Sequence, residues 1–136
     1  MPHLTTYISP LAKIGNNVKI GRNCIVQDNV QIGDNSIISD FCILGEPLNS
    51  SYSDPSYVNP ILTIGESSLI RSHSLIYAGS QIGSHFQTGP RVTIRENMNI
   101  PSVPMKLETV PASCTFFGPA NKRGLVSCKI VKWQRY

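Results

Sequence analysis

The sequence predicts an all-β solenoid of short parallel segments wound into triangular coils, and three observations carry that expectation. First, a branched apolar residue recurs at every sixth position, from Ile8 through Ile14, Ile20, Val26, Ile32, Ile38 and Leu44. The series resumes at Ile64, Ile70, Ile76 and Ile82 and runs on through Thr88, Ile94 and Ile100. Neither a helix nor an alternating strand has that period, whereas stacked hexads with one inward anchor each do. Second, the residue after the anchor is repeatedly glycine, at Gly15, Gly21, Gly33, Gly45, Gly65, Gly83 and Gly89, and position four is asparagine at Asn17, Asn23, Asn29 and Asn35. Glycine permits close backbone approach, and asparagine tolerates a left-handed corner. Third, like residues stand 18 apart, as Cys24 and Cys42 do, so three hexads close one coil.

The elements follow in order. Residues 1–7 lead in, and residues 8–25 and 26–43 form two coils. Position five gives a second inward slot for smaller side chains, among them Val18, Cys24, Val30, Ser36, Cys42, Ser68 and Ser74. Leu44 and Gly45 open a third coil, which EPLNSSYSDPSYVNPILT (residues 46–63) interrupts with three prolines and four serines. This segment reads as a surface loop at one corner, and the register is expected to continue in step across it. Residues 64–81 and 82–99 then read as two further coils, giving about four in all. Residues 1–100 thus form the solenoid with its loop.

After Ile100 the hexads stop, and residues 101–136 read as an irregular basic tail. An open solenoid end needs a cap, which such a tail supplies. The shift in composition suggests instead a chain truncated or frameshifted near residue 100, since codons permitted for Met105–Thr109 spell a new hexad in another frame.

Charge divides at the same place. Residues 1–100 carry six basic and seven acidic side chains, and residues 101–136 carry six basic and one acidic, so the net +4 belongs to the tail. The repeat has no basic stripe, which argues against a nucleic-acid partner. No apolar run is long enough to span a membrane, and a cytoplasmic location is expected. Cys24 and Cys42 read as small inward hydrophobes; Cys114 and Cys128 lack zinc-ligand spacing and are given no role.

The string TIGESSLIRSHSLIYAGSQIGSHFQTGPRVTIREN (residues 63–97) carries a family resemblance. It is similar to hexapeptide-repeat acyltransferases that modify nucleotide sugars and surface polysaccharides, in which this region typically reads IGDN, IRS, VIYAG, IGDNFQTGH and IREN. The resemblance covers roughly residues 8–100. It implies a left-handed parallel β-helix, a homotrimer and acetyl-CoA or another acyl-CoA as donor. It also implies active sites in the grooves between chains, and acyl transfer to an amine or hydroxyl of a sugar-like acceptor.

Such transfer needs a base and donors for the developing oxyanion. The family pattern places a histidine after Thr88-Gly89, and here that position is Pro90, which offers neither a basic nitrogen nor an N–H. His73 and His85, both at position four of their hexads, are the remaining candidates; each reads equally as a corner residue. They stand 12 apart and so occupy different corners. His3 reads as a solvated terminal residue. Three histidines converging on zinc are not in the pattern, so no metal is expected. Arg71, Tyr77, Gln87, Arg91, Arg95 and Asn97 are candidate substrate-binding residues, with the arginines suited to phosphate or, alternatively, to local ion pairs with Glu96 or Glu66. Two readings compete: a sugar acyltransferase, active or decayed, and a non-catalytic binding or assembly protein, or pseudogene remnant, that kept the prism after losing the base.

Overall fold

A computed structural model describes residues 4–102, 113–117 and 125–128. Three parallel sheets form the sides of a prism, and each successive hexad moves to the next side. The first face holds β1 (Tyr7–Ile8), β4 (Ile25–Val26), β7 (Ile43–Glu46), β10 (Leu75–Tyr77) and β12 (Thr93–Ile94). The second holds β2 (Lys13–Ile14), β5 (Val30–Ile32), β8 (Leu62–Ile64), β11 (Gln81–Ile82) and β13 (Asn99–Ile100). The third holds β3 (Lys19–Ile20), β6 (Ile37–Ile38) and β9 (Leu69–Ile70), and Gln87 continues it through a single bridge to Leu69.

The anchors stack along the axis, Val26 pairing with Leu44, Ile32 with Ile64, and Ile38 with Ile70. From Val26 through Ile100 the apolar anchors are all buried, as are Cys24, Cys42, Ser36, Ser68, Ser74 and Ser80 in position five. Buried serines need partners, and they find them in carbonyls of their own and the next coil. Ser74 Oγ donates to the Arg71 carbonyl at 2.9 Å, and Ser80 Oγ to that of Arg95 at 2.6 Å. Cys24 and Cys42 are free and fully buried; the adjoining Cys24 thiol and burial together push the Cys42 thiol up, as suits an inert packing residue.

Position four is the left-handed corner. Asn17, Asn23 and Asn35 have φ of 58°, 56° and 61°, and Ser67, His73, His85, Arg91 and Asn97 take the same conformation. Asn29 does not. It lies under the loop, where its Nδ2 donates to the Asn59 carbonyl and its own carbonyl accepts from Leu62 N, so it anchors the insertion instead. Position two needs glycine because coils approach closely there: a Cβ on Gly33 would lie 2.5 Å from the backbone nitrogen of Glu66.

The loop does not preserve the register in step. Partners above and below it stand 32 apart, not 18, so fourteen residues are inserted, and fourteen is not a multiple of six. Leu44 lies on the first face and Ile64 on the second, so the third coil runs from Leu44 through Ile64 to Ile70, and a coil does not begin at Ile64. The insertion occupies the corner between first and second faces and contains a short helix, α1 (Asn49–Ser53).

Within the tail, β14 (Cys114–Phe117) pairs in parallel with β12, extending the first face, and β15 (Leu125–Cys128) pairs antiparallel with β14. Cys114, which its spacing gave no role, is disulfide-bonded, and the β14–β15 register sets it opposite Cys128. His3 and the Met105–Thr109 segment lie outside the described residues.

Candidate functional site

The predicted site residues distribute over three corners. The corner from third to first face carries Arg71, His73, Pro90 and Arg91. Its left-handed positions form a ladder in which Phe41 N donates to the Arg22 carbonyl, His73 N to Asp40, Arg91 N to Ser72 and Ser113 N to Pro90, at 2.9–3.1 Å. Arg91 therefore stands one coil above His73, as the spacing of 18 predicts. Arg71, His73 and Arg91 are all exposed. Gln87 lies on the adjoining third face and Thr88 is buried beside it, its Oγ1 accepting from Arg71 N at 3.0 Å. Pro90 leaves this corner without a basic group at the expected position.

A residue that sequence reasoning passed over completes the corner. Phe41 occupies position four of the Ile38 hexad, where neighbouring hexads carry asparagine, and its φ is 63°. Its ring stacks on the His73 imidazole, with centroids 4.8 Å apart and planes inclined by 15°. The signal was present in the sequence as a bulky aromatic at a left-handed position, where such residues are outliers.

His85 stands at the next corner, between second and third faces, above Asn35 and Ser67, and its N donates to the Glu66 carbonyl at 2.9 Å. The two histidines thus lie on opposite sides of the third face, as their spacing requires. Tyr77, Arg95 and Asn97 occupy the third corner, one and two coils above the rung that the loop interrupts. The Arg95 guanidinium lies over the Tyr77 ring at 4.6 Å and is held by Glu96 through bonds of 2.8 and 3.3 Å. Glu96 thereby draws Arg95 into a local ion pair and is itself held below the usual carboxylate range by that hydrogen bonding. Around them, Tyr52 of α1 donates to Glu46 at 3.5 Å, and Pro60 packs where a Gly79 side chain would stand. Among the described residues, no cluster of histidine, cysteine and carboxylate groups has the makings of a metal site.

Residues 11–46 match the model of the bacterial transferase hexapeptide (six repeats) family. No curated protein matches the sequence. Among solved structures, the Neisseria gonorrhoeae serine acetyltransferase superposes with a TM-score of 0.58 at 18% identity, over 91% of this chain and 42% of its own. A variant of GDP-perosamine N-acetyltransferase from Caulobacter crescentus, in complex with CoA and GDP-perosamine, gives 0.51 at 17%, over 93% and 55%. This chain thus spans about half the length of those proteins, and the likeness is one of fold: a left-handed parallel β-helix. No helix among the described residues is long and apolar enough to cross a membrane.

Proposed function

We propose that the protein is an acyl-CoA-dependent acyltransferase, acetyl-CoA being the donor, acting on an amine or hydroxyl of a sugar or nucleotide sugar in surface polysaccharide synthesis in the cytoplasm. The observation that carries this reading is that Arg71 and His73 of the IRSHSLIYAG string and the Thr88-Gly89 end of FQTG fall on adjacent rungs of one corner, where Arg71, His73 and Arg91 are all exposed. In the reaction, the acceptor's lone pair attacks the thioester carbonyl, the oxyanion collapses, and the C–S bond breaks to release the CoA thiolate. The acceptor proton passes to a base. Arg71 and Arg91 offer guanidinium groups for donor or acceptor phosphates. His73, one rung below the Pro90 corner, is the imidazole of this chain nearest that position in the ladder.

A homotrimer belongs to the same proposal. Tyr7 and Ile25 pair as neighbours on the first face and Ile37 lies on the third, all three substantially exposed, and exposed apolar side chains on two sides of the prism support an interaction surface. Packing prisms side by side makes a concave groove from two chains.

Pro90 favours a second reading, a non-catalytic hexapeptide-repeat binding or assembly protein. Acetyl-CoA and free CoA should each raise the melting temperature of a donor-binding protein. Pro90→His should then raise acyl transfer to amino and hydroxy sugars by a factor on the order of 10²–10⁴. Stabilisation by CoA without any gain in transfer supports the binding protein; neither effect overturns both donor binding and the acyltransferase reading.

A further inference from the structure

We infer that the Phe41–His73 corner is a nucleotide-recognition subsite, in which the aromatic pair stacks a nucleobase and Arg71 and Arg91 hold the attached diphosphate. Four observations converge on it. Phe41 is 48% exposed, and its ring is parallel to the His73 imidazole, so two π faces form a platform at the surface. Base stacking on such a platform is tolerant of base identity because every base has a π face. Phe41 holds a left-handed backbone at φ 63°, a conformation that Asn23 one coil below shares and one that a bulky ring disfavours. Position four has no packing need for an aromatic, since Asn23 directly below fills it with a small polar side chain. Strain retained at an exposed ring points to use of the ring.

The charges are placed to match. Arg71 flanks His73, and Arg91 stands one coil above it; both are exposed, and neither forms an ion pair among the described residues. Arg22, by contrast, is already paired with Asp40 at 3.3 Å, which offsets the one carboxylate at this corner. A base on the Phe41 face turned away from His73 lies level with Asn23, about two coil spacings, roughly 10 Å, from the coil of Arg71, a distance that a nucleoside diphosphate spans, and Arg91 stands one coil further on. Asn23, on that side, offers an amide for the edge of a base. Both CoA and a nucleotide sugar contain a base joined to a diphosphate, and the corner recognises that shared chemistry. The inference draws its choice of ligands from the acyltransferase reading but needs no catalysis.

The decisive variant is Phe41→Asn, which suits the left-handed corner and removes the ring. Its melting temperature should stay level or rise, while affinity falls about tenfold for uridine diphosphate, for CoA, or for both, and pyrophosphate affinity stays unchanged. Arg91→Gln should weaken all three. Loss confined to CoA assigns the corner to the donor, and loss confined to uridine diphosphate assigns it to the acceptor; either supports the subsite. Unchanged nucleotide and CoA affinity in Phe41→Asn overturns it, and so does a change in oligomeric state alone, which would make Phe41 an interface residue. Because binding is read directly, an inactive protein that still loses nucleotide affinity in Phe41→Asn separates failure of the transferase reading from failure of this one.

Discussion

The guanidinium of Arg95 lies 4.6 Å from the centroid of the Tyr77 ring one coil below it, and Glu96 grips the same guanidinium at 2.8 Å. The eighteen-residue coil brings arginine and tyrosine together, and the adjacent carboxylate holds the arginine in place. Arg71 and Arg91 at the other corner form no ion pair among the described residues, whereas the arginine of this corner is committed to a local one.

The pair predicts a pH dependence of definite sign. Hydrogen bonds from Arg95, set against some desolvation, hold the Glu96 carboxyl below its ordinary value. Its contribution to stability is thus complete above the unfolded value of about 4.3 and is lost as pH falls through the lower folded value. Since both side chains are partly exposed, solvent screening limits the contribution to less than about 1 kcal/mol. Urea melts should show Glu96→Gln slightly less stable than the native protein near neutral pH, with the difference vanishing under strong acid. A difference that grows on acidification would contradict the assignment.

The position-two glycines make a sharper prediction. A Cβ on Gly33 would approach Glu66 N at 2.5 Å and Glu66 Cα at 2.8 Å, both backbone atoms of the next coil. The coils must separate locally to admit it, and overpacking of this kind costs about 1–3 kcal/mol. Gly33→Ala should lower the unfolding free energy by that amount, seen as a lower urea midpoint with an unchanged slope; a neutral substitution would show that the coils are less closely spaced than described.

Much of this architecture was legible because a solenoid repeats its physics. Ile38 and Ile70 both read as inward anchors, and Asn17 and Asn35 both as corners, because each hexad meets the same surroundings. Reading failed where a residue was judged by its own hexad alone. Asn29 fits the corner pattern, but the inserted loop recruits it. The phase change across residues 44–64 is visible in the numbering, yet its consequence, that Ile64 lies on the second face, needs the three-dimensional stack. The candidate site was half legible. Arg91 over His73 and Arg95 over Tyr77 follow from the spacing of 18, whereas the Phe41–His73 contact crosses the insertion at a spacing of 32 that only the structure reveals.

Phe86 tests how the core tolerates unequal filling. It is fully buried at position five, directly above Ser68 in the stack, where most coils place a serine, valine or cysteine. Phe86→Ala empties a space that the neighbouring anchors Ile64 and Ile82, each fixed in a hydrogen-bonded ladder, cannot readily close. A loss of about 3–5 kcal/mol is expected from equilibrium unfolding. A loss under about 1 kcal/mol would mean that the coil collapses around the site and that its ladder is softer than the backbone bonding indicates.

The loop can be separated from the fold by arithmetic. Removing residues 47–60 takes out the fourteen inserted residues and leaves Leu44, Gly45, Glu46, Ile61, Leu62 and Thr63 as one hexad before Ile64. Three bonds made by Asn59 are lost, from Leu48 N at 2.9 Å, to Ser51 Oγ at 3.4 Å and from the Asn29 amide, but each ties the loop to itself or to the coil edge. The Leu62 N to Asn29 carbonyl bond, at 2.8 Å, remains and closes the corner. Shortening a loop recovers closure entropy of order 1 kcal/mol, so the excised chain should keep its β circular dichroism and melt within a few degrees of the native protein. What it loses is Tyr52 beside Glu46 and Pro60 against Gly79, that is, the loop side of the corner that carries Tyr77, Arg95 and Asn97. If this corner takes part in acceptor binding, the apparent KM for the sugar rises while CoA still stabilises the protein to the same extent. Unfolding of the excised chain would show instead that the insertion braces the third coil, and that Gly45 and Glu46 cannot turn the corner without it.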